Sequence, residues 1–585
     1  MKQKLGKAGD LLLLYKEYLL VAIVLFCFWA FGIGSIYGFS IFPDEFAYWS
    51  YAARINGYDW SAVTSLAPYY SYGYSLILIP IFALFKNAVT AYRVAVSINF
   101  IFLYIGFAAL VRTMRSMVSD KKIPIILFSA LAILLPCNLF YTQMTLTEVF
   151  LVCLYITAGA LLFHYLESDR LSTLFLLMLT LMYLYTVHMR TVGVLLSAIM
   201  VLVFHILSRK ERRWHILVAL GTLLVLLVLA DMLKQYAYLS VYGGINRELV
   251  ADNDYSGQLA KIQYIFTSQG FYDFVIHILG KVLYLGLATW GVFYWGVYVL
   301  IRHVGKMLQS IKRHATVTSQ QMFALFVLLS VILQIVISTI YLLTLGEISD
   351  YTYGRYNEMV IPFVMALGLV TLWKERAKTI WAATVALAVA QMVVTFLVVR
   401  QIMDTGAENF HGYFMVGIGY LYEKAGFQAD SFYRNAWLLC EVLTLFVTAV
   451  VLFCRNIKKR QYFIIALVIM ELIMAMQADT IYLEPFKKAA FRDSRMVDKI
   501  NALQENGRRV VYMDDVFPPY IGIIQFMDRE MDIQVMEPRG SMHAYGKDIG
   551  ADDILIFAFD DVLLQEWEEQ YTQKDVYGHF ALLYD

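Results

Sequence analysis

The stretch FPDEFAYWSYAARINGYDW, residues 42–60, decides how the rest of the chain is interpreted. It follows the first long apolar run, 18–38, and places Asp44 and Glu45 side by side just beyond that run. Helical spacing puts Asp44 and Tyr48 on one face, and the helix dipole favours acidic residues in a first turn. Because aromatic side chains hold such helices at the headgroup level, the stretch predicts an interfacial helix with a carboxylate at the membrane surface. A carboxylate held there can act as a general base toward a hydroxyl group.

Composition assigns the chain to the membrane proteins. Of its 585 residues, 60% are hydrophobic, which exceeds the apolar fraction of ordinary soluble domains. The net charge of +1 gives no electrostatic bias toward nucleic acid, so no nucleic-acid partner is expected. The five cysteines lie inside apolar runs without the spacing of a metal site or a disulfide framework. We therefore expect a polytopic α-helical protein embedded in a lipid bilayer.

Thirteen apolar runs approach the length of about 20 residues that a bilayer core of about 30 Å requires. They are 18–38, 91–112, 123–141, 146–166, 171–188, 191–207, 214–233, 281–301, 322–345, 357–373, 379–399, 435–454 and 461–478. With the N-terminus in the cytoplasm, the inner loops between them all carry Lys or Arg, as the positive-inside rule demands. The run 71–85 is expected to be re-entrant or interfacial, because one more span would move all later basic loops to the opposite face.

Residues 479–585 differ in character from the apolar part, and they predict a small α/β domain outside the membrane. Short segments with strand character lie at 508–513, 532–537, 552–559 and 579–585, and helical patterns lie at 518–530 and 560–570. The predicted organisation is therefore a transmembrane domain over 1–478, whose outer loop 39–90 carries the Asp-Glu pair, followed by an outer domain over 479–585.

The same topology brings other charged and aromatic residues to the outer level. They stand at the outer ends of separate runs and are Glu148, His188, Arg190, Arg355, Tyr356 and Glu358. Taken alone, each arginine could be a snorkelling side chain at the membrane surface. Their recurrence beside carboxylates favours a site instead, and a planar guanidinium group donates two hydrogen bonds at once to phosphate. A phosphate-bearing ligand at the outer membrane surface is therefore expected.

The Asp-Glu loop, with Tyr48, Arg54 and Trp60, resembles the first outer loop of GT-C-fold glycosyltransferases, notably bacterial lipid A aminoarabinose transferases and protein O-mannosyltransferases. The resemblance implies a GT-C-like fold of about 13 transmembrane helices, a catalytic domain in 1–478 and a small extracytoplasmic α/β domain. It implies transfer of a hexosyl or pentosyl unit from a polyprenyl-phosphate donor to an envelope glycan, lipid or protein. The expected location is a bacterial cytoplasmic membrane, with the N-terminus inside and the C-terminal domain outside.

The resemblance also implies roles for individual residues. Asp44 matches the catalytic base and Glu45 its acidic partner. Donor phosphate binding is implied for Arg190 and Arg355. A place near the active site is implied for Tyr48, Glu148, His188, Tyr356 and Glu358. A single displacement with an aspartate as base predicts inversion at the anomeric carbon.

One segment departs from the family pattern. The aminoarabinose transferases carry Lys-Pro-Pro before the re-entrant run, whereas this chain has LAPYYSYGYS at 66–75. The tyrosines of this segment, Tyr69, Tyr70 and Tyr72, donate hydrogen bonds but bring no charge. The two arginines are therefore expected to supply more of the phosphate binding.

The sequence leaves the question of a metal cofactor open. A divalent cation, Mg²⁺ or Mn²⁺, would find oxygen ligands in Asp44, Glu45 and Glu148. Arginine can do the same electrostatic work, and the chain shows no metal-specific spacing. No cofactor is therefore required by the pattern.

A transporter or lipid flippase is the rival interpretation. Glu441 and Glu471 fall within apolar spans, where ionisable groups are costly and often functional. Transporters usually show paired, broken helices and internal symmetry. The sequence shows no internal repeat and carries an outer domain, so the transferase is the preferred prediction.

Overall fold

The computed structural model describes residues 2–40, 42, 44–64, 71–118, 120, 122–208, 213–243, 257–344, 346–419, 421, 428–455, 461–504, 507–513, 521–536, 549, 550, 552–559 and 563–585. Helices dominate the part that precedes residue 505. In chain order they are α1 (Lys2–Gly32), α2 (Asp44–Ile55), α3 (Ser61–Thr64), α4 (Ser75–Leu84), α5 (Ala88–Met117), α6 (Ile125–Ile133), α7 (Pro136–Tyr141), α8 (Glu148–Ser168), α9 (Leu171–Val187), α10 (Val192–Ser208), α11 (Arg213–Val241), α12 (Gln258–Ile265), α13 (Ser268–Ala288), α14 (Val292–Lys312), α15 (Ser319–Leu342), α16 (Ile348–Tyr351), α17 (Ile361–Lys374), α18 (Ala377–Thr405), α19 (Val416–Gly419), α20 (Ala429–Cys454), α21 (Gln461–Ala478) and α22 (Glu484–Gln504).

Ten segments among the described residues are long and apolar enough to cross a membrane. They lie in α1, α5, α8, α10, α11, α13, α15, α18, α20 and the continuous helix formed by α21 and α22. Large apolar side chains remain exposed on these helices, such as Phe396 of α18 at 65% and Leu224 of α11 at 65%. Such exposure suits lipid contact, and the chain is a multi-pass membrane protein. The orientation of its termini stays a prediction.

Helix α4 occupies the run 71–85 that the sequence predicted to be re-entrant or interfacial. It has 10 residues, and at 1.5 Å per residue its length is about 15 Å. A bilayer core is about 30 Å thick, so this helix is too short to cross it. It packs instead against α2, the helix that carries the Asp-Glu pair.

Two predicted spans are not single helices. The run 281–301 is divided into α13 and α14, because Trp290 and Gly291 adopt left-handed backbone conformations with φ of 51° and 75°. A Cβ atom at Gly291 would lie 2.8 Å from Thr444, so glycine is required there. The run 123–141 is divided into α6 and α7 at Pro136, which lacks the backbone N–H that a continuous helix needs. Continuous helices over these two runs are therefore wrong predictions.

The C-terminal part contains a five-stranded sheet with two short helices. Its elements are β1 (Val510–Met513), α23 (Ile521–Met527), β2 (Ile533–Met536), β3 (Ile554–Ala558), α24 (Leu563–Glu568), β4 (Gln573–Tyr577) and β5 (Phe580–Tyr584). The strand order is β2-β1-β3-β5-β4, with β1 parallel to β2 and β3, and β5 antiparallel to β3 and β4. The predicted small α/β domain is confirmed. The sequence missed β4, because this edge strand is largely exposed and lacks an apolar run.

The boundary predicted at residue 478 lies inside a helical segment. Helix α21 continues through a π-helical turn, Asp479–Leu483, directly into α22. The division into 1–478 and 479–585 therefore stays a prediction. The prolines predicted to begin the helix over 518–530 lie outside the described residues, and α23 occupies the middle of that range.

The C-terminal domain is docked on the loop helix α2 through α23. The ring of Phe526 lies 4.9 Å from that of Trp49. Arg529, which follows α23, donates hydrogen bonds to the carbonyl oxygens of Phe82 at 2.7 Å and Phe85 at 2.5 Å. A Cβ atom at Gly522 would lie 2.6 Å from the ring of Phe46, so the two helices are in close contact. The domain therefore braces the helix that presents Asp44.

Replacement of Arg529 by Ala is expected to weaken this docking. Two buried hydrogen bonds from a charged donor would be lost, and each contributes about 1.5–3 kcal/mol. We expect a lower Tm of the purified protein and faster trypsin cleavage between the membrane part and the C-terminal domain. Arg492→Ala, at an exposed position on α22, is the control. An unchanged Tm and cleavage rate in R529A would show that the contact does not stabilise the docked domain.

Candidate active site

Two arginines and two carboxylates form one buried charge cluster, which consists of Asp44, Glu148, Arg190 and Arg355. Arg355 Nη2 donates to Asp44 Oδ2 at 2.7 Å, and its Nε donates to Glu148 Oε1 at 2.6 Å. Arg190 Nη2 donates to the same Glu148 oxygen at 3.0 Å. Each of the four residues is at most 7% exposed. The structure therefore brings together the two predicted phosphate-binding arginines and the predicted base.

Helix ends supply these side chains. Asp44 is the first residue of α2 and Glu148 the first of α8, so both carboxylates lie at helix N-termini that favour negative charge. Arg190 lies in the 3₁₀ turn Met189–Thr191 between α9 and α10. Arg355 lies in the non-helical link after α16. Four separate connections thus meet at one end of the helix bundle.

The backbone around Arg355 is held from two sides. The N–H groups of Gly354 and Arg355 both donate to the carbonyl oxygen of Phe414, at 3.0 and 2.9 Å. On the other side, the fully buried Lys281 of α13 donates to the carbonyl oxygen of Asp350 at 3.0 Å. The guanidinium group is therefore placed by contacts with segments that lie far from it in sequence.

The arginines are also stacked on aromatic rings. Arg190 lies over the ring of Tyr356, with 4.6 Å between the guanidinium carbon and the ring centroid. Arg355 lies over the ring of Phe42 at 4.4 Å. Burial alone would lower the pKa of Arg355, but Glu148 and Asp44 raise its pKa well above the ordinary value. Both the stacking and the charges keep the guanidinium groups fixed and ionised.

Several buried polar atoms beside the cluster have no hydrogen-bond partner among the described residues. They are Tyr48 Oη, Thr147 Oγ1, Glu148 Oε2, Arg190 Nε, Arg190 Nη1 and Glu358 Oε2. Folded proteins rarely leave such groups unpaired, and their concentration at one place is typical of a ligand site. Burial and the neighbouring Asp44 raise the pKa of Tyr48, so its hydroxyl group stays protonated and available as a donor.

The other residues that the sequence placed near the active site contact the charge cluster or the residues next to it. His188 Nδ1 accepts a hydrogen bond from the backbone N–H of Arg190 at 3.3 Å. The ring of His188 lies 6.2 Å from that of Tyr356. Glu358 Oε1 accepts from the hydroxyl group of Tyr284 on α13. Tyr69 and Tyr70 lie outside the described residues, while Tyr72 donates to the carbonyl oxygen of Ala230 at 3.2 Å.

Glu45 occupies a different environment from its neighbour Asp44. One of its oxygens accepts from the backbone N–H of Ser40 at 2.7 Å and from the Ser40 hydroxyl at 2.5 Å. The other accepts from the N–H and the hydroxyl of Thr145, both at 2.7 Å, and from the hydroxyl of Tyr92. Burial raises the pKa of Glu45, and these hydrogen bonds oppose that effect. Its contacts therefore favour a positioning role that joins three segments beneath α2.

Replacement of Glu45 by Gln is expected to destabilise the protein. A glutamine side chain has one acceptor oxygen, so at least one backbone N–H, of Ser40 or Thr145, would lose its partner. A buried unpaired polar group costs about 1–3 kcal/mol. We expect a lower Tm, measured by thermal unfolding in detergent. The control is Asp59→Asn on the same loop, where the carboxylate is 63% exposed. A Tm equal to that of the control would contradict a positioning role.

The carboxylates do not fit a metal site. Within the described residues no group of three or more His, Cys, Asp or Glu side chains is arranged to hold a metal ion. Arg355 binds one oxygen of Asp44 and one oxygen of Glu148, and both oxygens of Glu45 accept hydrogen bonds elsewhere. The three carboxylates suggested by the sequence therefore do not converge on one point.

One further cation near the site was not predicted from the sequence. Lys234, near the end of α11, places its Nζ 2.5 Å from the sulfur of Met189, next to Arg190. Its charge also acts on His188. The available signal was its position, since it is the first basic residue after the apolar run 214–233. Lys234 thus places a lysine beside the residue that precedes Arg190. The segment 66–75, where the aminoarabinose transferases carry Lys-Pro-Pro, has no lysine in this chain.

Comparison with solved structures identifies the architecture. Two crystal structures of ArnT from Cupriavidus metallidurans match the chain along almost its whole length, both with a TM-score of 0.53. The chain has the ArnT fold. One of these ArnT structures is bound to undecaprenyl phosphate; it is 11% identical, and the match covers 97% of each chain. The other is in the apo state; it is 12% identical, and the match covers 99% of this chain and 98% of that one.

The ArnT fold confirms the GT-C-like fold that the Asp-Glu loop predicted. At this level of identity the likeness concerns the fold, and the roles of single residues in this chain remain proposals. No protein-family model and no curated protein sequence matches the chain.

Proposed function

We propose that this protein is a membrane glycosyltransferase that moves a monosaccharide from a polyprenyl-phosphate donor to an acceptor outside the cytoplasm. The observation that carries the proposal is that two buried donors of Arg190, Nε and Nη1, have no partner among the described residues, in the cluster that also holds Arg355 and Asp44. The ArnT fold supports it, because an ArnT with this fold is bound to undecaprenyl phosphate.

The donor phosphate is assigned to the arginines. The two unpaired Arg190 nitrogens lie on different edges of the planar guanidinium group, so each can donate a separate charge-assisted hydrogen bond to an anionic oxygen. Arg355 is tied to Arg190 through Glu148, so both guanidinium groups lie next to the same carboxylate. In a site shielded from water their charge acts strongly on a developing anion. They would stabilise the charge that grows on the departing lipid phosphate.

Asp44 is assigned as the general base. Its Oδ2 is held by Arg355, while Oδ1 has no hydrogen bond among the described residues and can accept a proton. The acceptor hydroxyl or amine would lose its proton to this carboxylate and form the new bond to C1 of the sugar. The C1–O bond to phosphate would break, and the lipid phosphate would leave with the electron pair. A single displacement of this kind inverts the anomeric configuration.

A transporter or flippase of a lipid-linked substrate is the second candidate. The observation that favours it is Glu471 of α21, which is fully buried and whose two carboxylate oxygens have no partner among the described residues. Buried acids within membrane helices often mark transport or proton pathways. Glu471→Gln therefore separates the two candidates, because a transporter would depend on this carboxylate.

The deciding experiment measures release of free lipid phosphate. Purified protein in nanodiscs is given an undecaprenyl-phosphate sugar and an envelope extract as acceptor, and undecaprenyl phosphate is quantified by mass spectrometry. We expect release that requires the acceptor and that persists in Glu471→Gln. A product with retained anomeric configuration would exclude the single displacement. Absence of release in every donor tested, together with movement of the intact lipid across vesicles, would establish the transporter.

A further inference from the structure

A groove lies between α5 and α8, at the end of α8 that is opposite Glu148. The two helices are in close contact near Gly106, where an added Cβ atom would lie 3.5 Å from the Cα of Cys153. Beyond this contact they enclose a cavity of about 380 Å³. The lining residues on α8 begin at Thr157 and end at Glu167, so along this helix the groove lies about 14–29 Å from Glu148 and is separate from the proposed active site.

The groove changes character along its length. The part nearer to Glu148 is lined by Ile105, Ala108 and Leu161. The part farther from Glu148 is lined by Arg112, His164 and Glu167. From Ile105 to Ser116 the lining on α5 spans 11 residues, or about 16 Å. Apolar walls that lead to charges of both signs are the pattern expected for an amphiphile that lies parallel to the helices. This end of the bundle also carries the basic segment 112–122, which the predicted topology places in the cytoplasm.

A second groove shows that these charges are not a general property of the lipid-facing surface. It lies between α1 and α5, has a volume of about 320 Å³, and is lined mainly by apolar and aromatic residues such as Leu25, Phe26 and Trp29. Among the described residues, no charged side chain lines it. Contact with acyl chains alone therefore needs no charge, and the charged end of the first groove requires a separate explanation.

The charges of the first groove have opposite signs and are not paired with each other. Among the described residues, neither Arg112 nor Glu167 forms an ion pair. An arginine fits a phosphate, and a carboxylate fits a protonated amine. An anionic headgroup would satisfy Arg112 but would be repelled by Glu167. A quaternary ammonium group would offer Glu167 no hydrogen-bond donor.

We propose that this groove binds a glycerophospholipid with a primary-amine headgroup, with its phosphate on Arg112 and its ammonium group on Glu167. The acyl chain lies against Ile105 and Leu161. His164 lies beside the phosphate as an additional hydrogen-bonding group. The site is independent of the proposed glycosyl transfer, so its test does not depend on activity.

Native mass spectrometry of the full-length protein in mild detergent tests the site. The protein is mixed with equal amounts of phosphatidylethanolamine, phosphatidylglycerol and phosphatidylcholine that carry identical acyl chains. We expect the ethanolamine lipid to be retained about fivefold more than either competitor, as a partly exposed ion pair would provide. Glu167→Gln should abolish this preference. Arg112→Gln should reduce retention of all three lipids. The control is Arg115→Gln, three residues further along α5 and outside the lining of the groove, which should leave retention of each lipid unchanged.

Equal retention of the three lipids by the wild-type protein would overturn the proposal, as would a preference for phosphatidylglycerol. A preference for phosphatidylethanolamine that survives Glu167→Gln would also overturn it, since the amine would then be recognised elsewhere. Because both variants change surface-accessible side chains, thermal unfolding in the same detergent verifies that they remain folded.

Discussion

Replacement of Asp44 by Asn is expected to lower kcat for sugar transfer by about 10²–10⁴-fold, the usual contribution of a general base. The amide oxygen can still accept a hydrogen bond from Arg355 Nη2, so the cluster keeps its geometry. What is lost is the ability to take a proton from the acceptor. The measurement is the steady-state rate of acceptor-dependent release of undecaprenyl phosphate. The KM for the lipid-linked donor should change little.

The control for this variant is Asp59→Asn, which removes a carboxylate from the same loop at an exposed position. Thermal unfolding of D44N should resemble that of the wild type. If D44N folds normally and retains more than a tenth of the wild-type kcat, Asp44 is not the base, and the unpaired Glu148 Oε2 or Glu358 Oε2 becomes the carboxylate to test.

Replacement of Arg355 by Lys is expected to lower kcat/KM by about 10²–10³-fold, the loss typical of one donor aimed at a developing anion. Arg355 uses Nε and Nη2 for two different carboxylates and stacks on the ring of Phe42. An ammonium group keeps the charge but cannot reproduce this fork or the stacking. The lipid phosphate would therefore be held less well in both the ground state and the transition state. Steady-state kinetics with varied donor should show a higher KM together with a lower kcat.

Arg302→Lys is the matched control, because Arg302 is half-exposed and, among the described residues, pairs with one carboxylate, Glu375, at 3.2 Å. Breaking a buried ion network also destabilises proteins, by about 3–5 kcal/mol, so the Tm of R355K must be measured. A folded R355K with wild-type KM and kcat would remove Arg355 from the phosphate site. A loss of activity that follows the loss of folded protein would assign Arg355 a structural role instead.

The candidate site shows how far local sequence information extends. Glu148, Arg190 and Arg355 were expected at one membrane level because each stands at the end of an apolar run, and run ends are readable from hydropathy. Their contacts could not be predicted from the sequence, because the Arg355–Asp44 hydrogen bond joins residues 311 positions apart. Lys234 and Lys281 were missed for the same reason. Each lies in or beside a helical run, and only the packed bundle shows what its ammonium group contacts.

The prediction of continuous helices failed where the backbone conformation depends on tertiary contacts. The apolar composition of 281–301 predicted one helix, but the left-handed turn at Trp290 and Gly291 divides it. That turn fits because Gly291 lies directly against Thr444 of α20, a residue that hydropathy cannot connect to it. Pro136 is a local signal for the break between α6 and α7, but the apolar composition of 123–141 favoured one continuous helix.

By itself the sequence determined that this is a membrane protein, that an acidic helix follows the first apolar run, and that charged residues gather at the ends of several later runs. These properties are local, because hydropathy and helical spacing depend on neighbouring residues. The tertiary structure alone decided that Asp44 faces the arginines while Glu45 is enclosed by Ser40, Tyr92 and Thr145. Adjacent side chains on a helix point about 100° apart, and distant segments of the chain determine what lies in each direction.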